Sequence, residues 1–186
     1  MAICTATTDS RPIRSVTAFS TEVCSRATQP VPPDTPLTQN PTRFTPEDWA
    51  KLTFDSHTHK KLAFETYSTR YLATSGQIYW SDGQLSAAYV DSYHTDLDRA
   101  THAKVPGTEM ITEIYVERPR LATFMEDARA LLRQRRANVI YGTVRMIERD
   151  DETFLAWARA RYACIALNLH VEHTPHAIEH AAETFR

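Results

Sequence analysis

Two short stretches carry side chains whose types and spacing suit chemistry. In "NVIYGTVRM" (138–146), Tyr141, Thr143 and Arg145 recur at every second position. In "YACIALNLHVEH" (162–173), Asn168 and His170 do the same. Alternation places such residues on one face of a strand. Arginine offers a fixed fork of donors, histidine transfers protons near neutrality, and threonine and asparagine orient hydroxyls. With Glu113 and Tyr115 from "EMITEIYV" (109–116), the set suits a polyhydroxy or carboxylate-bearing substrate. The plainer reading is the solvated face of a two-layer α+β domain.

Other chemistry has less support. His170, His173, His176 and His180 fall within eleven residues of "HVEHTPHAIEH". A zinc site needs three or four converging ligands, but His170 points off a strand and no cysteine joins the set, so no metal is expected. His57 and His59 in "SHTHK" diverge on a helix. The pairs Glu47/Asp48 and Asp150/Asp151 read as a helix cap and a turn. Ser75 lies in no nucleophile elbow. No glycine-rich nucleotide-binding loop is present, and the whole chain has four glycines.

The elements that must position the polar rows read clearly. "EMITEIYV" alternates as a strand, Met110, Thr112, Ile114 and Val116 against Ile111, Glu113 and Tyr115. "PRLATFMEDARALLRQRR" is an amphipathic helix opened by Pro119, with Leu121, Phe124, Ala128, Leu131 and Leu132 as its apolar stripe. In the next strand Ile140, Gly142, Val144 and Met146 form the apolar side. "DDETFLAWARA" is open between a short helix and a loop. In the third strand Ala163, Ile165, Leu167, Leu169 and Val171 face the core. "TPHAIEHAAETF" is a helix with Thr174 as cap and Pro175 at its first position. The order strand, helix, strand, strand, helix is an incomplete ferredoxin-like unit: α+β, an antiparallel-rich sheet with helices on one face.

Upstream, "FTPEDWAKL" starts a helix with Thr45 as cap. It runs to about Leu72, with a break near "SHTHK", and Leu62, Tyr67 and Tyr71 on its inner side. Ile78, Tyr79 and Trp80 make a short strand-like run after Gly76. "LSAAYVDSYHTDL" reads as a helix with Leu85, Ala88, Tyr89 and Ser92 on one side. Six of the ten prolines precede residue 43, so residues 1–43 are expected to be a poorly ordered arm and 44–186 the folded domain.

Composition bounds the partners. The 186 residues carry a formal charge of −2, which gives no electrostatic case for nucleic acid. No apolar run approaches the ~18 residues of a membrane span, and the N-terminus lacks a signal-peptide core. Cys4, Cys24 and Cys164 form no CxxC and read as reduced thiols of a cytoplasmic protein.

"YLATSGQIYWSD", "TEMITEIYVERPRL", "ANVIYGTVRMIERDDETFLAWA" and "NLHVEHTP" together resemble the substrate-domain half of FAD-linked oxidases. These belong to the vanillyl-alcohol-oxidase superfamily, with a p-cresol methylhydroxylase-type flavin domain; sugar-lactone and alditol oxidases are relatives. The resemblance spans roughly residues 43–186. It implies an FAD cofactor held by a flavin domain that this sequence lacks. It also implies a polyol, alcohol or lactone substrate and a flavin-domain partner. On that reading the chain is a partial substrate domain that retains no FAD alone. Thr143 and Arg145 match a pair that relatives turn toward the flavin, although relatives carry an acidic residue where Thr143 stands. Arg145 would hold the substrate oxygen and His170 would assist proton removal. Asn168, Tyr141 and Glu113 would line the substrate. The alternative is a non-enzymatic α+β binding module, or a subunit completing a separate flavoprotein.

Overall fold

In a computed structural model the described residues are 3–9, 25–80 and 93–185, with side chains described from residue 29 onward. The chain divides into two compact units, the boundary in the described part falling between Tyr93 and His94.

The first unit holds strands β1 (Ile3–Asp9) and β2 (Ser25–Val31), helices α1 (Pro46–Thr58) and α2 (Lys60–Leu72), and strand β3 (Ile78–Trp80). Its sheet is antiparallel in the order β2-β1-β3. Thr45 caps α1 through a reciprocal capping box with Asp48, and Pro46 starts the helix. The expected break falls at His59, whose non-helical backbone separates the two helices. Phe44, Trp49, Tyr67 and Tyr71 pack as an aromatic cluster, with the Tyr67 and Tyr71 rings 4.3 Å apart. Leu62 does not join the inner side: it is exposed, and Ala63 is the buried residue beside it. Thr38 ties its coil to β3 by two hydrogen bonds with the Ile78 backbone.

The second unit carries the polar rows. Helix α3 (Tyr93–Thr101) enters it at His94 and is followed by strand β4 (Gly107–Glu117). A single 3-10 turn through Pro119 leads into helix α4 (Leu121–Gln134). Strands β5 (Val139–Ile147) and β6 (Tyr162–Glu172) and helix α5 (Pro175–Thr184) complete it. Of the helix expected over 85–97, residues 85–92 lie outside the described residues, and the described remainder is helical within α3.

The sheet order is β4-β6-β5, with both pairings antiparallel. Strand β6 therefore runs between two strands parallel to each other, the split βαβ arrangement expected for an α+β fold of this kind. Helices α4 and α5 cover one face only. Met125, Leu132 and Ala181 meet Ala163, Ile165, Leu167, Leu169 and Val171 there. Each large apolar side chain so hidden contributes about 1.5–3 kcal/mol. On α4 the stripe uses Met125, while Leu131 turns outward and is exposed.

A bulge corrects the expected face assignment of β5. Val139 pairs with Leu169 and Tyr141 with Asn168, so Ile140 is the extra residue. Val139, not Ile140, joins Gly142 on the helix side; Ile140 is buried outside the helix-facing core. Val144 and Met146 follow on that side by register but remain exposed. Among the described residues no helix is long and apolar enough to cross a membrane.

Candidate functional site

Register places every predicted site residue on the sheet face opposite helices α4 and α5. From β4 this open face receives Glu109, Ile111, Glu113 and Tyr115, from β6 Cys164, Ala166, Asn168 and His170, and from β5 Tyr141, Thr143 and Arg145. Because β6 is central, its short side chains lie beneath longer ones from the edge strands. Asn168 is only 5% exposed, although Ile111 beside it is 64% exposed.

The face has two ends. Cys164, which sits opposite Arg145, and His170 are six residues apart on one strand, roughly 20 Å at ~3.3 Å per residue. Arg145 and His170 therefore share a face but not one small-molecule contact.

At the first end Arg145 reaches across β6 and donates to Glu113. The crossing is open because the residues beneath it are Ala166 and Cys164. Tyr115 donates its hydroxyl to the other Glu113 oxygen at 2.9 Å. That bond, with a second to Cys164, pushes the Tyr115 phenol up to about 12. Trp157 packs edge-on against Tyr115, ring centroids 5.1 Å apart, and stacks near Tyr162 at 6.0 Å. Trp157 comes from the 148–161 connection, which is a loop. Asp150 organises it by accepting from the Thr153 hydroxyl and from the Glu152 and Thr153 amides, which holds its carboxyl below the usual range. The Asp150 amide donates to the Ala158 carbonyl at 2.9 Å, closing the loop. Arg118 and Arg161 flank Glu148 and hold its carboxyl low, Arg118 most strongly.

At the second end Tyr141 and Asn168 are cross-strand partners, and His170 is opposite Glu109. Burial pushes the Tyr141 phenol up to about 12, reinforced by the charge and hydrogen bond of Glu109 and opposed by a hydrogen bond with Asn168. Helix α3 brings His94 to this end, its ring centroid 6.2 Å from that of His170. Burial holds the His94 imidazole below its ordinary value. Glu109 and Asp98 raise it, and His170 and His173 lower it. Thr143 lies between the two ends, opposite Ala166.

Glu109 and His94 were absent from the set predicted from sequence. The alternation of β4, continued one step back from Ile111, reaches Glu109. Nothing local marks His94, which arrives through the packing of α3. His176 and His180 stack on α5 with centroids 6.3 Å apart. Among the described residues no three histidine, cysteine, aspartate or glutamate side chains are placed to hold a metal ion. Cys164 is a buried free thiol.

The chemistry available is hydrogen bonding to a hydroxylated molecule along the face, charge anchoring at Arg145, and proton acceptance at His170. Comparison with protein-family models, curated proteins and solved structures finds no match for this chain.

Proposed function

We propose that this chain forms the substrate-side wall of an FAD-linked oxidase acting on alcohol, alditol or sugar-lactone substrates. The flavin is held by a segment outside these 186 residues. The observation that carries the reading is the open face: three strands commit hydroxyl, amide, imidazole and guanidinium groups to one side while α4 and α5 take the other.

The residues present do not fit a dinucleotide carrier. The glycines stand singly at positions 76, 83, 107 and 142, so no glycine-rich loop exists to cradle phosphates. No redox step is therefore assigned to this chain. Its own groups bind and orient: Arg145, oriented by Glu113, anchors an oxygen-bearing group of an extended substrate at the end of the face remote from His170. Thr143 contributes a hydroxyl at the middle of the face. Tyr141 and Asn168 orient hydroxyls, and His170 takes the proton of the alcohol.

Two measurements test this. The purified chain, mixed with FAD and desalted, should retain no stoichiometric flavin absorbance; one-to-one retention overturns the division of labour. Co-expressed with a flavin domain of this oxidase type, the chain should form a complex whose flavin is bleached by an alditol. His170→Ala should slow that bleaching at least tenfold. A flavin-loaded complex indifferent to His170→Ala would remove the proposed role.

A second reading, a subunit without chemistry of its own, is favoured by β5. Among the described residues it is an edge strand of its sheet, with Met146 exposed on its helix side. Copurification with a separate flavoprotein that is already active alone would support it.

A further inference from the structure

The glycine that opens β4 has a role that backbone conformation does not explain. Gly76 is the only glycine with a positive φ among the described residues, so Gly107 is not needed for a left-handed backbone. What requires glycine there is the His170 ring. A Cβ on residue 107 would stand 2.1 Å from Cε1 of His170 and 2.6 Å from its Nε2. The imidazole rests on bare backbone.

The neighbours of that contact come from three elements. The Gly107 amide donates to Asp98 on α3 at 3.2 Å. Asp98 is one helical turn after His94, and the His94 ring neighbours that of His170. Glu109 is the cross-strand partner of His170, and Tyr141 interacts with Glu109 from β5. His173, just beyond β6, also acts electrostatically on His94.

We propose that Gly107, His94 and Glu109 are positioning residues that seat His170 as the proton acceptor of the open face. The role given to His170 rests on the oxidase reading; the seat itself is tested without flavin or substrate.

The test is a double-mutant cycle on the full chain, following the C–H and ring-nitrogen resonances of each histidine against pH by NMR. In the parent chain His94 should titrate below a free imidazole. His170→Asn removes a neighbouring positive charge and should move the His94 midpoint upward. Glu109→Gln should move it downward. Gly107→Ala should shift both ring spectra, and in that background His170→Asn should have less than half its effect on His94. If Gly107→Ala leaves both rings and the cycle unchanged, the seat does not exist. Should Gly107→Ala not fold, adding His170→Ala removes the clashing ring and should restore a cooperative melt. A double variant as unfolded as the single one overturns the proposal. An intact cycle in a parent chain whose flavin complex shows no turnover would instead count against the oxidase reading alone.

Discussion

At one end of the open face, Arg145 stretches over two small residues to reach Glu113, and both groups stay largely in water. At the other, His170 presses onto Gly107 while His94 and Glu109 close around it. The first arrangement is held by charge and long flexible side chains. The second is held by shape, with one imidazole filling the space a Cβ would occupy. Exposed ion pairs are cheap to lose and sensitive to salt. A ring packed onto backbone yields only by turning the imidazole itself out of its place. The His170 end is thus suited to holding one group in one orientation, and the Arg145 end to adapting around a charged or hydroxylated molecule.

Both ends stand on the same core, so the largest effect should come from beneath them. Leu132, 2% exposed on α4, packs against β6. Leu132→Ala should cost about 2–5 kcal/mol in urea unfolding. It should loosen both ends together; a loss confined to one would show that the face does not rest on a common layer.

Next comes the contrast between two glycines of the same sheet. Gly107→Ala places a methyl against an imidazole wedged on the open face and should cost about 1–3 kcal/mol. At Gly142 an added Cβ meets the Cδ2 of Leu167 at 2.9 Å and the Ala166 carbonyl at 3.4 Å. Gly142→Ala should therefore cost less, because its closest approach is 2.9 Å against 2.1 Å at Gly107. Equal losses would remove the distinction between a seat and ordinary packing.

Much of this arrangement was legible in the sequence, and the reason is periodicity. Alternation over 109–116, 138–146 and 162–173 marked β4, β5 and β6 to within about two residues and assigned the two faces of β6 correctly. Thr45-Pro46 and Thr174-Pro175 marked two helix starts by local hydrogen-bond chemistry. The bulge at Ile140 was not legible, because an apolar residue among apolar neighbours carries no sign of slipping register. Nor was the 20 Å separation of Arg145 and His170 drawn from their shared face, although strand rise alone implies it. His94 had no signal, since its neighbour is 76 residues away along the chain and depends on how α3 docks. Gly107 carried no signal either, because the ring it accommodates belongs to His170 on another strand.

The two ends should also lose stability in separate pH windows. The His94 imidazole sits below its ordinary 6.5, so the unfolded chain binds that proton more readily than the folded one. Stability is then full above about 6.5 and falls as pH drops from there through the depressed folded value. Near the Arg145 end, Glu148 and Asp150 are held below 4.5 and 3.8 respectively. Their contribution is present above those values and is lost only as pH falls beneath them. Melting temperatures from pH 8 to pH 3 should show two separate declines. His94→Gln should remove the upper one and leave the lower; a single decline unaffected by His94→Gln would contradict the assignment.

The smallest stability effect is predicted where the charge is most conspicuous. Arg145→Gln breaks an exposed pair, and with side chains this accessible the loss should be at most about 1 kcal/mol. It should shrink further in 1 M salt, where screening reaches only ~3 Å. Glu113 would keep the Tyr115 hydroxyl bond, so its position should hardly change. In the flavin complex, by contrast, the same substitution should weaken substrate affinity severalfold, since the guanidinium is proposed to anchor the substrate and not the fold. A variant that melts normally and binds poorly supports that separation. One that melts several degrees lower but binds unchanged would make Arg145 a structural clasp, and the oxidase reading of this end would fail with it.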